Sequence, residues 1–151
     1  MTAPEDPLEV AARALRGRDR SRRDVDERLE RAGVADDARS ETLDRLERIG
    51  YLDEERFATS RAATLAGRGQ GDAAIRVDLE AQGVEGERIE DALARLAPEQ
   101  ERAAALVERL GASARTANQL LRKGFAAELV EDLLGDSLVD PNGGDDDARV
   151  V

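Results

Sequence analysis

The side chains best suited to chemistry in this sequence are arginines, which crowd its N-terminal part. Between Arg13 and Arg31 they stand close together, and the densest group is Arg16, Arg18, Arg20, Arg22 and Arg23. A guanidinium group is permanently charged and pairs with a carboxylate or a phosphate through two parallel hydrogen bonds. The chemistry that this segment indicates is therefore the binding of an anionic group.

The same arginines have a plainer interpretation. Acidic residues lie among them, at Asp19, Asp24, Asp26, Glu27 and Glu30. Oppositely charged residues spaced four apart stabilise a solvated helix surface without any partner. From the residues alone, the arginine-rich segment is explained equally by a surface that contacts a partner and by a helix face held by internal salt bridges.

Catalytic chemistry has few candidates. The sequence contains no cysteine and no histidine, which excludes thiol nucleophiles, imidazole bases and most transition-metal ligand sets. No spacing singles out two carboxylates as an acid–base pair. Gly67, Gly69 and Gly71 are not followed by the Lys-Ser or Lys-Thr of a phosphate loop, so we interpret them as a flexible turn. We expect no enzyme, no metal and no cofactor.

The composition favours a helical protein with an acidic surface. Only 2% of the 151 residues are aromatic and 38% are charged, and the formal net charge is -11. A protein that binds nucleic acid by itself usually has the opposite balance. No apolar run is long enough to span a membrane, and the start of the chain does not resemble a signal peptide. We therefore expect a cytoplasmic protein.

One pattern of residues occurs three times. Adding 50 to each position of a first set reaches a second set without a gap, and the first set is Leu15, Arg18, Val25, Leu29, Gly33, Val34, Leu43 and Leu46. Adding 41 to the first seven members of the second set reaches a third set, in which only Thr116 breaks the apolar pattern, and its members are Leu106, Arg109, Thr116, Leu120, Gly124, Phe125 and Leu134. An arginine, a glycine and the apolar residue after that glycine recur in every copy, which indicates an internal repeat.

Each copy predicts three helices. The middle helix ends at a glycine, which is Gly33, Gly83 or Gly124. A leucine four residues before each glycine then pairs with the apolar residue after it, as in a Schellman ending. The other helices carry apolar stripes that must face a neighbour, with Ile49 and Leu110 among their members.

These patterns predict an all-α fold of three tandem three-helix repeats that form an elongated, curved array. We place an N-terminal leader at residues 1–7, repeats at 8–52, 53–98 and 99–135, and an acidic disordered tail at 136–151.

Helix starts and junctions have their own signatures. Asp6 as N-cap, Pro7 at the first helical position and Glu9 in a capping box begin the first helix. At the first junction we expect Tyr51 and Phe57 to anchor the first repeat to the second, with Asp53 capping the next helix.

Arg18, Arg68 and Arg109 occupy equivalent positions at the end of the first helix of each repeat. Repetition allows one curved binding face with an arginine from each unit. Interaction of each arginine with the C-terminal end of its own helix dipole explains the pattern equally well. Arg122 and Lys123 extend this basic surface into the third repeat, unless they are ordinary basic residues of a last helical turn.

Three stretches carry the most specific combinations of residues. The junction LERIGYLDEERFATSRA, residues 46–62, contains Gly50, Tyr51, Leu52, Asp53, Arg56, Phe57 and Ala58. The others are RDRSRRDVDERLERAGV, residues 18–34, and GRGQGDAAIRVDLEAQGV, residues 67–84. Together they resemble the RecX family of regulators of the RecA recombinase, over roughly residues 8–134. Three tandem three-helix units are also the architecture of that family.

The resemblance implies a protein that binds the RecA nucleoprotein filament and inhibits its recombinase, ATPase and coprotease activities in DNA repair and the SOS response. DNA within the filament, single- or double-stranded, is a further implied partner, although a charge of -11 argues against direct DNA contact. We expect a monomer. The residues that we assign to this contact are Arg16, Arg18, Arg20, Arg22, Arg23, Arg68, Arg76, Arg109, Arg122 and Lys123.

Two other functions are open. A direct DNA-binding module with a basic first repeat would lose its affinity steeply as salt rises. A helical-repeat scaffold for an unrelated protein would ignore both RecA and DNA. A helix-turn-helix is disfavoured, because the helices that would enter a DNA groove, DDARSETLDRLER and EGERIEDALARL, are net acidic.

Overall fold

The computed structural model describes residues 5–138, and every regular element in that range is an α-helix. The helices of the first repeat are α1 (Pro7–Leu15), α2 (Arg22–Arg31) and α3 (Asp36–Arg48). Those of the second are α4 (Glu54–Gly67), α5 (Asp72–Ala81) and α6 (Gly86–Ala94). Those of the third are α7 (Glu99–Leu110), α8 (Ala114–Arg122) and α9 (Ala127–Leu138). The predicted all-α fold is confirmed.

The middle helix of each repeat has the predicted Schellman ending. In α2, the backbone N–H of Val34 donates to the carbonyl of Leu29 at 3.0 Å, and Gly33 has a φ of 84°. The same bond joins Val84 to Leu79 at 3.1 Å and Phe125 to Leu120 at 3.1 Å. All six of these side chains except Val34 are buried. The repeated glycine therefore serves a backbone conformation that other residues rarely adopt.

Side-chain caps begin several helices. The Asp6 carboxylate accepts from the backbone N–H of Leu8 at 3.1 Å, with Pro7 as the first helical residue. Asp53 accepts from the N–H of Arg56 at 2.9 Å. Both caps confirm the sequence predictions. Ser21 and Ser113 cap α2 and α8 in the same way, because each hydroxyl oxygen accepts from the N–H three residues later.

The first repeat has its own apolar core. The buried members are Ala11, Val25, Leu29, Leu43, Leu46 and Leu52. They come from α1, α2, α3 and the turn before α4.

A separate core forms in the third repeat from α7, α8 and α9, with the buried members Ala103, Ala117, Leu120, Phe125, Val130 and Leu134. Thr116 is 3% exposed, although it breaks the apolar pattern at this position of the repeat. Its hydroxyl lies 3.2 Å from the Ser113 hydroxyl, which donates to it. The polar group is therefore satisfied inside the core.

Three predicted apolar contacts are wrong. Ile49 is 56% exposed and Tyr51 is 61% exposed, because both follow the end of α3, where the chain turns at Gly50. Leu52 and Phe57 are buried instead, so they rather than Tyr51 occupy the core at the first junction. Leu110, in the last turn of α7, is also exposed.

The last predicted boundary also differs. α9 continues to Leu138, so residues 136–138, which we assigned to the disordered tail, are helical. Residues 1–4 and 139–151, which hold most of the predicted leader and tail, lie outside the described residues.

Contacts divide the chain into two compact units. Of the described residues, the first unit holds 5–64 and 76–95, and the second holds 65–75 and 96–138. The boundary does not follow the repeats, because α4 and α5 contribute residues to both units.

Within the second unit, Gly71 is not part of a flexible turn. It is buried, and its N–H donates to the carbonyl of Lys123 at 2.8 Å. A Cβ atom on Gly71 would lie 2.5 Å from the backbone of Gly124 and Phe125. Only a glycine allows the start of α5 to approach the end of α8 this closely.

Candidate partner-binding surface

Arg16 and Arg18 are exposed at the C-terminal end of α1. Arg20 is largely buried, since its Nε donates to the carbonyl of Ala14 and its Nη1 lies 3.0 Å from Asp24 Oδ2. The same Asp24 oxygen accepts from Arg28 Nε at 3.2 Å. One carboxylate is thus shared by two guanidinium groups, which leaves this group of three side chains with a net positive charge.

A basic cleft of about 540 Å³ opens beside these residues in the first repeat. We use the name "basic cleft" for the space lined by Val10, Arg13, Ala14, Arg20, Arg28, Arg31 and Ala32. None of the described residues that line it is acidic. Its rim arginines are exposed: Arg13 has an ion pair of 3.4 Å with the exposed Glu5, and Arg31 Nε lies 3.4 Å from the Glu27 carbonyl of its own helix.

Arg22 points the other way, towards α3. Its guanidinium lies 3.0 Å from Asp44 and 2.9 Å from Glu47. Burial lowers the pKa of Arg22, but the hydrogen bonds to these two carboxylates raise it more, so the net direction is upward. Two intramolecular partners leave this guanidinium a structural role, and the salt-bridge interpretation is the better one for Arg22.

Arg23 is exposed and reaches the end of α5, where its Nη1 donates to the carbonyl of Ala81 at 3.0 Å. It lies against Gly83 so closely that a Cβ there would be 2.8 Å from Arg23 Nε.

Arg76 forms a two-point ion pair with Glu90, at 2.7 and 3.2 Å. The hydrogen bond from Arg76 lowers the pKa of the Glu90 carboxyl.

A second, larger cleft in the same unit is different in charge. The "mixed-charge cleft", of about 640 Å³, is lined by Arg22, Arg23, Asp26, Asp36, Ser40, Leu43, Asp44, Glu47, Glu54, Gly83, Glu85 and Arg88. Six of these are acidic and three are arginines. Burial raises the pKa of the Glu54 carboxyl, although a hydrogen bond from the Arg22 backbone opposes the shift.

In the second compact unit, the predicted contact residues Arg68, Arg109, Arg122 and Lys123 are all exposed. Arg68 directly follows α4 and Arg109 lies in the last turn of α7. Arg18 lies beyond the end of α1, which stops at Leu15, so the repeated arginine lies in or shortly after the last turn of each first helix. The prediction that Arg18, Arg68 and Arg109 share one face stays a prediction.

Sequence reasoning missed Arg102. Its guanidinium pairs with Asp72, donates to the carbonyls of Gln70 and Ala97 at 2.9 Å each, and lies 6.0 Å from the centre of the Phe125 ring. The side chain is 12% exposed. Gln70 and Asp72 are 32 and 30 residues away in sequence, so no local pattern marks Arg102 as different from the exposed arginines.

Within residues 5–138, no group of three or more acidic side chains is arranged to hold a metal ion. No helix in that range is long and apolar enough to cross a membrane. The described surface presents several exposed arginines on a helical scaffold. The described residues thus define a helical-repeat protein with exposed arginines on its surface.

Comparison with known proteins agrees with this class. Residues 53–93 match the family described as "RecX, second three-helix domain", which confirms the predicted resemblance to the RecX family over that stretch. RecX from Lactobacillus salivarius has a similar crystal structure, with a TM-score of 0.74 and 20% identity over 88% of this chain and 95% of that one. A crystal structure of regulatory protein RecX is similar with a TM-score of 0.71 and 22% identity, over 86% and 73% of the two chains. At this identity the structures confirm the fold. No curated protein matches the sequence significantly.

Proposed function

We propose that this protein regulates RecA by binding the RecA nucleoprotein filament and inhibiting its recombinase, ATPase and coprotease activities. The observation that carries the proposal is the match of residues 53–93 to the second three-helix domain of RecX. The likeness to RecX supports a RecX-type regulator of RecA. We propose in addition that the protein binds the filament, that it inhibits RecA, and that it acts in DNA repair and the SOS response.

The predicted contact residues of the first repeat differ in how far they are exposed and in whether they are paired within the protein. Arg16, Arg18 and Arg23 in the first repeat are exposed, so their guanidinium groups are accessible to a carboxylate or phosphate of a partner. Arg20 and Arg22 are held by Asp24 and by Asp44 and Glu47. The proposed contact therefore rests first on the exposed arginines. Arg22, with two carboxylate partners, positions α2 against α3, whereas Arg20 shares Asp24 with Arg28 and keeps part of its positive charge for a partner.

The test is DNA-dependent ATP hydrolysis by the cognate RecA on single-stranded DNA, titrated with this protein. Binding of the protein to the same DNA without RecA is measured in parallel. We expect inhibition of hydrolysis without appreciable binding to naked DNA, because the chain carries a net charge of -11. Unchanged hydrolysis at a several-fold molar excess of the protein would refute the proposal.

A second candidate, direct binding to DNA, is favoured by the four arginines of the basic cleft. If each arginine neutralises one phosphate, the logarithm of the binding constant falls with the logarithm of salt concentration with a slope of roughly -3 to -4. A measured slope near zero, or no binding at low salt, excludes this candidate.

A further inference from the structure

We propose that the basic cleft of the first repeat binds a short acidic segment of a partner protein, with an apolar side chain of that segment seated between the arginines. The identification of the partner as a subunit of the RecA filament rests on the proposed function. The preference of the cleft for an acidic, partly apolar peptide does not rest on the proposed function, and it is tested without RecA.

Two of the four arginines of the cleft, Arg20 and Arg28, are positioned before any partner binds. Arg20 is 17% exposed and is held by the Ala14 carbonyl and by Asp24, which also holds Arg28. Side chains fixed in this way lose little conformational freedom on binding. Since Asp24 neutralises only one of the two guanidinium groups, Arg20 and Arg28 together retain a positive charge.

The absence of acidic residues from the described lining of the basic cleft is unusual for this protein. The chain has 34 acidic and 23 basic residues, and the mixed-charge cleft of the same unit has six carboxylates among its lining residues. The basic cleft has four arginines and no described carboxylate in its lining. This local reversal of the overall charge selects an anionic ligand.

The apolar part of the lining distinguishes a peptide from a nucleic acid. Val10, Ala14 and Ala32 line the cleft together with the arginines. These small side chains leave space for an apolar side chain such as leucine, whose burial contributes about 25 cal/mol per Å² of apolar surface. The bases of a single-stranded nucleic acid bind instead by stacking on aromatic side chains, and the described lining has none.

The surroundings of the basic cleft favour a short ligand over a long polyanion. Glu27 and Glu30 are exposed on α2, the helix that also carries Arg28 and Arg31. Charges are screened within about 8 Å at physiological salt, so a short segment inside the cleft interacts mainly with the arginines. A nucleic acid that extends beyond it meets the carboxylates of this acidic chain.

The probe is a fluorescein-labelled peptide of sequence Glu-Asp-Leu-Asp-Glu, whose binding to the full chain is followed by fluorescence anisotropy. The test variant is the double substitution Arg13→Glu and Arg31→Glu, which reverses two exposed charges of the rim. The matched control is Arg45→Glu with Arg48→Glu on α3, since these arginines are also exposed and lie outside the basic cleft.

We expect the rim variant to weaken peptide binding at least about tenfold, because two charge-assisted hydrogen bonds are lost and two repulsions are added. The control changes the net charge by the same amount and should weaken binding less than about threefold. Replacing the leucine of the probe by serine should also weaken its binding to the unmodified chain. Far-ultraviolet circular dichroism of both variants verifies that they remain helical.

Equal loss of binding in the rim and control variants would overturn the proposal, because it would show only a response to net charge. A single-stranded oligonucleotide provides the other decisive comparison. If it binds the unmodified chain more tightly than the peptide does and loses affinity specifically in the rim variant, the cleft is a nucleic-acid site and the proposal fails. RecA ATPase assays with the unmodified chain report on the proposed function separately.

Discussion

The carboxylate of Glu54, the first residue of α4, accepts a hydrogen bond from the backbone N–H of Arg22, the first residue of α2. The same relationship recurs one repeat later, where Glu99 at the start of α7 accepts from the N–H of Asp72 at the start of α5, at 3.2 Å. A glutamate of the following repeat thus caps the middle helix of the preceding one. This cap joins neighbouring repeats through a backbone group that a helix leaves unpaired.

Replacement of Glu99 by alanine should destabilise the protein. Glu99 Oε1 also accepts from the N–H of Ala126 at 3.3 Å, so the change leaves two backbone donors without this partner. We expect a loss of about 1 to 2 kcal/mol in the free energy of unfolding, measured by urea denaturation. Glu101→Ala, an exposed change in the same first turn of α7, is the control, and an equal effect of both changes would contradict the capping role.

The pH dependence of stability should report on Glu54. Burial raises the folded-state pKa of this carboxyl above its ordinary value of 4.5, so folding favours the protonated form. The stabilising contribution of protonation is therefore complete below the unfolded-state pKa and is lost as pH rises through the folded-state pKa. Glu54→Gln keeps an oxygen acceptor for the Arg22 N–H and removes this titration.

We therefore expect Glu54→Gln to be more stable, relative to the unmodified chain, at pH 7 than at pH 4. The free energy of unfolding of Glu54→Gln minus that of the unmodified chain should be larger at pH 7. Urea denaturation at both values measures the difference. Glu41→Gln, an exposed substitution on α3, makes the same change in charge and should show little of this dependence. The opposite ranking of the two pH values for Glu54→Gln would refute the assignment.

Two glycines four residues apart should respond oppositely to alanine. Gly71→Ala places a Cβ atom 2.5 Å from the backbone of Gly124 and Phe125, and forced overpacking of this kind costs about 1 to 3 kcal/mol. Gly67 lies in α4, with no atom within 4 Å of the Cβ position, so alanine there should stabilise the helix by up to about 1 kcal/mol. Thermal unfolding of the two variants distinguishes them, and a neutral Gly71→Ala would show that the contact is not tight.

Tyr51 and Phe57 should differ in their importance for folding. Phe57 is 7% exposed and Tyr51 is 61% exposed. Phe57→Ala leaves a cavity and should cost about 3 to 5 kcal/mol, whereas Tyr51→Ala should change stability by less than about 0.5 kcal/mol. Denaturant unfolding of both single variants measures this. A large loss in Tyr51→Ala would restore the anchoring role that the structure contradicts.

The amino-acid sequence by itself determined the features of this protein that depend on near neighbours. The apolar period, the glycines after the middle helices, and the caps at Asp6 and Asp53 predict helices whose ends the structure confirms. These signals are local, because a Schellman ending or an N-cap joins residues two to five positions apart. The family resemblance follows from the same local patterns and is confirmed by residues 53–93.

Only the tertiary structure decided which charged side chains are engaged within the protein and which are presented to a partner. Arg18 and Arg102 are the same residue type, yet Arg18 is exposed and Arg102 is enclosed by groups from residues 70, 72, 97 and 125. The caps from Glu54 and Glu99 span 32 and 27 residues of sequence. Contacts at such separations depend on how helices pack, and a helical period specifies which face of a helix is apolar but not which neighbour covers it.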